Sequence, residues 1–172
     1  MVSAQDKTIL VVDDEPNVRN YLRRVLEQAD FNVLTAADGD EALKIIREKK
    51  PDFISLDLVM PKRSGQKVLY ELKKDKDLSR IPVLIVTAHA QTELGKEQME
   101  DLIKDAALSG PGLYLEKPVS PLAYVRCVQR ALGLEESKET TNRISLKEEL
   151  DKRLKGADAD ALRRALEALD KG

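Results

Sequence analysis

The 172-residue chain has little of several residue types that mark common protein classes. Its single cysteine, Cys127, excludes an intrachain disulfide framework and fits a reducing compartment. Tryptophan is absent and aromatic residues make up only 3%, so aliphatic side chains must build the core. Because residues 1–7 lack the apolar region of a secretory signal and no later run could span a bilayer, we expect a cytoplasmic protein without membrane contact.

The charge pattern also excludes one class of partner. Charged residues make up 35% of the chain, their signs are mixed, and the formal net charge is −2. A protein that binds nucleic acid directly usually carries a basic patch or stripe. We therefore expect no direct DNA binding.

Five apolar runs, each followed by a helical pattern, occupy residues 7–133. The helical patterns have recognisable starts, such as Asp38 with Glu41 as a capping box, or Ser120 before Pro121. Alternation of strand and helix at this period predicts an α/β protein with a doubly wound, five-stranded parallel sheet. The predicted strands cover residues 8–12, 31–36, 53–59, 81–87 and 113–116, and the fourth predicted helix covers 92–108.

The remainder of the chain predicts a short helical extension. Residues 134–143 are mostly polar and predict a linker. Ser145 and Glu148 form a capping box that predicts the start of a helical hairpin over 144–172, broken near Gly156 and resumed at Asp158. Its two narrow apolar stripes can pack on each other, on the preceding domain or on a second chain; the alternative is a solvated tail.

Polar residues follow four of the five predicted strands. Asp13 and Asp14 end the first, Thr87 ends the fourth and Lys117 follows the fifth, while Asp57 lies at the end of the third. In a parallel sheet with the first strand beside the third, these groups converge at one edge. Each also has a plainer interpretation: Asp57 can open a turn before Pro61, Thr87 can be a strand-end hydroxyl, and Lys117 can be a solvated surface residue.

The residue types at this edge suit phosphoryl transfer. Clustered carboxylates repel one another unless a cation lies among them, and Mg²⁺ prefers such oxygen ligands. Asp57 could then act as a nucleophile toward a phosphoryl group. The Lys117 ammonium and the Thr87 hydroxyl would stabilise the charge on the transferred group.

The chain resembles the receiver domain of bacterial two-component response regulators over residues 7–133. The resemblance implies a flavodoxin-like strand order of 2-1-3-4-5 and a cis peptide bond between Lys117 and Pro118. The segment between Thr87 and Tyr114 is longer than is usual in the family. The matching segments are residues 11–15 (VVDDE), 57–61 (DLVMP) with Gly65, 86–88 (VTA) and 114–118 (YLEKP).

The same resemblance implies roles for individual residues. Asp57 would accept phosphate from a histidine kinase or a phosphotransfer protein. Mg²⁺ would be held by Asp14, Asp57 and the backbone carbonyl of Val59, with Asp13 acting through water. Thr87 and Tyr114 match the switch pair of the family, although a tyrosine on a strand can also serve plain packing.

The function predicted from these residues is a phosphorylation switch that acts through protein contacts, with a downstream protein or a second copy of the chain as partner. We expect no dedicated enzyme, although the acyl phosphate can hydrolyse. One alternative is a phosphohydrolase with an aspartyl nucleophile. Another is a receiver fragment of a longer regulator or hybrid kinase whose output domain is absent.

Overall fold

The computed structural model describes residues 3–87 and 114–156 of the chain. Its described strands form one five-stranded sheet in the order β2-β1-β3-β4-β5, and all neighbouring strands pair in parallel. The predicted fold class and strand order are thereby confirmed. The strands are β1 (Thr8–Val12), β2 (Asn32–Ala36), β3 (Phe53–Leu56), β4 (Val83–Thr87) and β5 (Tyr114–Glu116).

Five α-helices lie within the described residues, and most begin where the sequence predicts. Their bounds are α1 (Pro16–Gln28), α2 (Gly39–Lys49), α3 (Ser64–Lys74), α4 (Pro121–Ala131) and α5 (Lys138–Gly156). The predicted helix over 92–108 and the second tail helix from Asp158 lie outside the described residues. Helix α4 corresponds to the fifth helix predicted from the sequence.

Helix α2 illustrates how local sequence determines a helix start. The Asp38 side chain accepts hydrogen bonds from the backbone N–H groups of Asp40 and Glu41, which satisfies two donors that a helix end leaves free. Glu41 reaches back and accepts the N–H of Ala37 at 2.7 Å. The predicted capping box is thus present, with its return bond one residue earlier than the standard pattern.

Aliphatic side chains fill both faces of the sheet, as the shortage of aromatic residues requires. On one face, Leu10, Ile54 and Ile85 belong to a core that packs against α2 and α3. On the other face, the alternate strand residues Ile9, Phe53 and Leu84 are fully buried. Parallel strands that are covered on both faces produce the near-continuous apolar runs seen in the sequence.

The outer surfaces of α2 and α3 are charged and joined by ion pairs. Lys67 of α3 lies 2.6 Å from Asp40 of α2, and Arg47 of α2 lies 3.4 Å from Glu71 of α3. Three of these four side chains are more than half exposed, so water screens the pairs and they contribute little to stability.

The end of the chain forms a separate unit. The structure divides into two compact units, Met1–Glu136 and Ser137–Gly172. Helix α5 already begins at Lys138, so the prediction of a linker over the whole of 134–143 is wrong for 138–143. The Ser137 hydroxyl accepts the Thr140 N–H at 3.3 Å, and the Ser137 carbonyl accepts the Thr141 N–H. Ser137 therefore starts the helix, and the predicted cap at Ser145 lies in its interior.

None of the helices in the two described ranges combines the length and the apolar character needed to cross a membrane.

Gly65 and Gly133 resist substitution for different physical reasons. A Cβ atom at Gly65 would overlap the Asp57 carbonyl and lie 2.8 Å from the Leu58 Cα, and both neighbours are backbone atoms. At Gly133 the same atom would meet nothing within 4 Å, but φ is +64°, which strains any side chain.

We expect Gly65→Ala to lower the free energy of unfolding by about 3 kcal/mol and the control Gly133→Ala by about 1 kcal/mol. Urea unfolding of both variants tests this difference. Equal losses in the two variants would contradict the close approach of Gly65 to the backbone that follows β3.

Candidate active site

Three of the predicted site residues meet at the carboxyl edge of the sheet. Val12 and Leu56 are paired in register at the ends of β1 and β3, so the next residues, Asp13 and Asp57, lie side by side. The Asp57 N–H donates to the Val12 carbonyl at 2.9 Å, which continues the strand pairing to this point. Lys117 follows β5, on the far side of β4.

The Lys117 ammonium joins these strand ends. Its Nζ lies 2.7 Å from Asp57 Oδ2 and 2.9 Å from Asp13 Oδ2. The side chains of Asp13, Asp57 and Lys117 are 1%, 4% and 10% exposed. Because little water reaches these charges, losing Lys117 would leave two buried carboxylates without a cation and would cost about 3–5 kcal/mol. Losing Asp13 would still leave Lys117 paired with Asp57.

Backbone amides hold the two buried carboxylates in place. Asp57 Oδ1 accepts the N–H of Val59 at 2.9 Å, and Asp13 Oδ1 accepts the N–H of Glu15 at 3.0 Å. The Arg19 guanidinium, from the first turn of α1, donates to the Asp13 carbonyl oxygen. Each carboxylate therefore presents its second oxygen to Lys117 in a fixed direction.

Burial and pairing shift the pKa values of two of these groups. Burial raises the pKa of Asp13 above its ordinary value; the hydrogen bond and charge of Lys117 oppose the rise, and the nearby Asp57 charge adds to it. Burial alone would lower the pKa of Lys117, but hydrogen bonds and attraction to Asp57 and Asp13 outweigh this effect and raise it. Lys117 is thus fully protonated at neutral pH.

The acidic residues fit a divalent metal ion. Carboxylate oxygens of Asp13, Asp14 and Asp57 all lie within 4.8 Å of one another, two of them buried and the third half-buried. Hard oxygen donors in this number suit Mg²⁺, which takes one or two carboxylates and retains several waters. Three carboxylates share the single Lys117 ammonium, so the cluster carries an excess of negative charge that a divalent cation would compensate.

The predicted switch residues lie on neighbouring strands, the inner strand β4 and the edge strand β5. Thr87 ends β4 and pairs in register with Glu116, while Tyr114 pairs with Ile85. The Tyr114 side chain is half-buried and packs against the apolar core, and burial raises the pKa of its hydroxyl. The structure does not describe the Thr87 side chain, so the role of this pair stays a prediction.

The peptide bond between Lys117 and Pro118 is cis, as the resemblance implies. Val59, the predicted source of a carbonyl ligand, lies in the loop after β3, where its N–H contacts Asp57. All predicted site residues whose side chains the structure describes therefore lie near the same edge of the sheet.

Sequence reasoning missed two residues of the site. Glu15 Oε1 lies 3.3 Å from Lys117 Nζ, and Arg19 contacts the Asp13 backbone. Their position in the sequence could have placed them at the site. Both follow the Asp13–Asp14 pair at the start of α1, where side chains point back toward the strand end.

Comparison with known proteins supports the same interpretation. The family model of the response regulator receiver domain matches residues 9–123. The chain belongs to the response regulator receiver family. The match includes every site residue discussed above, so the geometry is that of a receiver.

Several relatives of this receiver are transcriptional regulators. It is 39% identical over 116 residues to the alkaline phosphatase synthesis transcriptional regulatory protein PhoP of Bacillus subtilis, covering 67% of this chain and 44% of PhoP. It is 33% identical over 130 residues to the phosphate regulon transcriptional regulatory protein PhoB of Pseudomonas aeruginosa, covering 74% and 53%. The receiver thus spans about half the length of these relatives.

Solved receiver structures have the same fold. The chemotaxis response regulator CheY4 of Vibrio cholerae is 29% identical, with a TM-score of 0.61 and coverage of 73% of this chain and 98% of CheY4. The receiver domain of the sensor histidine kinase PA1611 of Pseudomonas aeruginosa is 25% identical, with a TM-score of 0.63 and coverage of 74% and 98%. That structure contains a magnesium ion in its active-site cleft.

The raised pKa of Asp13 predicts a pH-dependent effect on stability. A carboxyl group whose pKa is higher in the folded than in the unfolded state destabilises the fold once it ionises, and the penalty disappears as pH falls below the unfolded value. In Mg²⁺-free buffer with a chelator, Asp13→Asn should therefore raise the free energy of unfolding at pH 7, by about 1 kcal/mol.

Asp52 provides a control of opposite sign. Although partial burial acts to raise its pKa, the Thr8 N–H and the Lys7 ammonium lower it overall. Asp52→Asn should lower stability at pH 7, and both differences from the parent should shrink toward pH 3. Urea unfolding across this pH range measures them; a loss of stability in Asp13→Asn at pH 7 would contradict the burial penalty that raises the pKa of Asp13.

Proposed function

We propose that this receiver is a phosphorylation switch whose phosphoacceptor is Asp57. The observation that carries the proposal is the buried Asp57 carboxylate, with Lys117 Nζ at 2.7 Å and the Asp13 and Asp14 carboxylates beside it. A nucleophile, a fixed cation and a set of metal ligands are the parts that phosphoryl transfer requires.

The donor is a phosphohistidine on a histidine kinase or a phosphotransfer protein. A carboxylate oxygen of Asp57 forms the new bond to phosphorus, while the bond from phosphorus to the donor imidazole nitrogen breaks. The imidazole nitrogen keeps that electron pair and takes up a proton from solvent. Lys117 lies where its charge compensates the phosphoryl oxygens, and the Thr87 hydroxyl takes part in the same contact.

The carboxylates of Asp13, Asp14 and Asp57, with the Val59 carbonyl, would hold Mg²⁺. When bound, the ion neutralises charge on the transferred group. The donor set supports this assignment because oxygens of three carboxylates lie within 4.8 Å of one another. Asp14 and Asp57 would be direct ligands, and Asp13 would act through a water molecule.

The signal then passes through Thr87 and Tyr114. A phosphate on Asp57 attracts the Thr87 hydroxyl, and the space that it leaves admits the Tyr114 ring. Support for this step comes from the register, which places both residues on adjacent strands at the end of the sheet that carries the site. The receiver is not a dedicated enzyme on this proposal, because the phosphoryl group remains on the protein until the acyl phosphate hydrolyses.

The output passes through protein contacts. PhoP and PhoB are transcriptional regulators about twice as long as the part of them that the receiver matches, so an output domain elsewhere in a longer protein is a second candidate. Within the present chain, α5 offers a contact surface, since Leu146 and Leu150 are 70% and 55% exposed. The spacing of these two residues places them on one helical face.

Acetyl phosphate with Mg²⁺ should add one phosphoryl group to the full chain, detected by intact mass and located at Asp57 by peptide sequencing. Asp57→Asn should show no gain in mass, because an amide is not a nucleophile of this kind. Asp52→Asn is the matched control, since Asp52 lies just before the same strand at its other end, and it should be labelled as the parent is.

Labelling of Asp57→Asn at the parental rate would contradict the proposal that Asp57 accepts the phosphoryl group. Repeated release of inorganic phosphate from small phosphoesters, without retention on the protein, would favour the phosphohydrolase instead.

Association of two chains through α5 can be tested separately. If two chains associate through this helix, the weight-average mass in sedimentation should rise with concentration for the parent and stay monomeric for the double variant Leu146→Gln and Leu150→Gln. Lys147→Gln, which changes a neighbouring exposed residue without removing apolar surface, should behave as the parent does. A parent chain that stays monomeric at all concentrations would contradict association through α5.

A further inference from the structure

The Lys117 ammonium has a third acceptor that the proposed chemistry does not use. An ammonium group has three N–H donors, and three carboxylates surround this one: Asp57 at 2.7 Å, Asp13 at 2.9 Å and Glu15 at 3.3 Å. The three donors are therefore matched by three acceptors, two from the segment between β1 and α1 and one from the end of β3.

Glu15 differs from the other two acceptors in ways that matter for a metal ion. Its side chain is 60% exposed, whereas Asp13 and Asp57 are buried. It also lies outside the group of three carboxylates whose oxygens are within 4.8 Å of one another. A metal ion bound by that group would engage Asp57 directly and Asp13 through water, and it would leave Glu15 free for Lys117.

The backbone of Glu15 is fixed next to the acidic cluster. Its N–H donates to Asp13 Oδ1 at 3.0 Å, and it occupies the N-cap position of α1, immediately before Pro16, without a capping hydrogen bond from its side chain. The backbone is therefore tied to the acidic cluster, while the exposed carboxylate retains rotamer freedom. Lys117 can shift toward it without leaving the site.

We propose that Glu15 is a positioning residue that accepts the Lys117 ammonium when Mg²⁺ occupies the cluster of Asp13, Asp14 and Asp57. The inference rests on the proposed function. A divalent cation entering this cluster meets a positive charge already in contact with two of its ligands. An anionic acceptor beside Lys117 lowers the cost of displacing that charge and so strengthens Mg²⁺ binding.

A double-mutant cycle separates this role from a simple effect of charge. Mg²⁺ alone is titrated calorimetrically into the unphosphorylated full chain, its Glu15→Gln and Lys117→Met variants, and the double variant. We expect Glu15→Gln to weaken Mg²⁺ binding roughly two- to fivefold, the range set by an exposed ion pair. In the Lys117→Met background the same substitution should have almost no effect.

Glu116→Gln is the matched control. Glu116 is an exposed carboxylate next to Lys117 in the chain, and its substitution removes the same charge. Its effect on Mg²⁺ binding should be small and equal in both backgrounds.

Two outcomes would overturn the role of Glu15: unchanged Mg²⁺ affinity in Glu15→Gln, or an equal loss with and without Lys117, which would mean that Glu15 acts on the metal by charge alone. A parent chain that binds no Mg²⁺ and is not labelled at Asp57 would overturn the proposed function as well. Normal labelling with an unaltered Glu15→Gln variant would leave that function intact.

Discussion

The contact of Lys117 with Asp13 and Asp57 is the interaction on which the site depends. It brings one positive charge to a point where two central strands each deliver a buried carboxylate. Since β4 lies between β3 and β5, the lysine side chain also spans the end of a strand and links the edge of the sheet to its centre. Stability and chemistry are therefore coupled, because the cation that compensates these acids is the one proposed to meet the phosphoryl group.

The positive charge of Lys117 balances only part of the negative charge of the site. Asp13, Asp14 and Asp57 lie close together, and the pKa of Asp13 is raised in spite of Lys117. A site with this excess of negative charge gains free energy from a divalent cation. The amides of Val59 and Glu15 fix the direction of the carboxylates before a ligand binds. Binding therefore does not lose the conformational entropy of ordering these side chains.

The sequence predicts much of this arrangement because buried parallel strands appear as uninterrupted apolar runs that end in a polar residue. Asp13, Asp57 and Lys117 could be placed at one edge from that pattern alone. The contact between Glu15 and Lys117 could not, since it depends on side-chain directions across 102 positions of sequence. The start of α5 was missed for a local reason: residues 138–143 are polar but contain no helix breaker, and Ser137 caps them as well as Ser145 could.

The ion pairs of Lys67 with Asp40 and of Arg47 with Glu71 occupy helical surfaces, whereas Asp57, Lys117 and their acidic neighbours come from strand ends and the residues just after them. Substitutions on the exposed faces of α2 and α3 therefore change the surface of the chain while Asp57, Lys117 and their acidic neighbours stay in place. Diversification of the family would then require little compensating change in the interior.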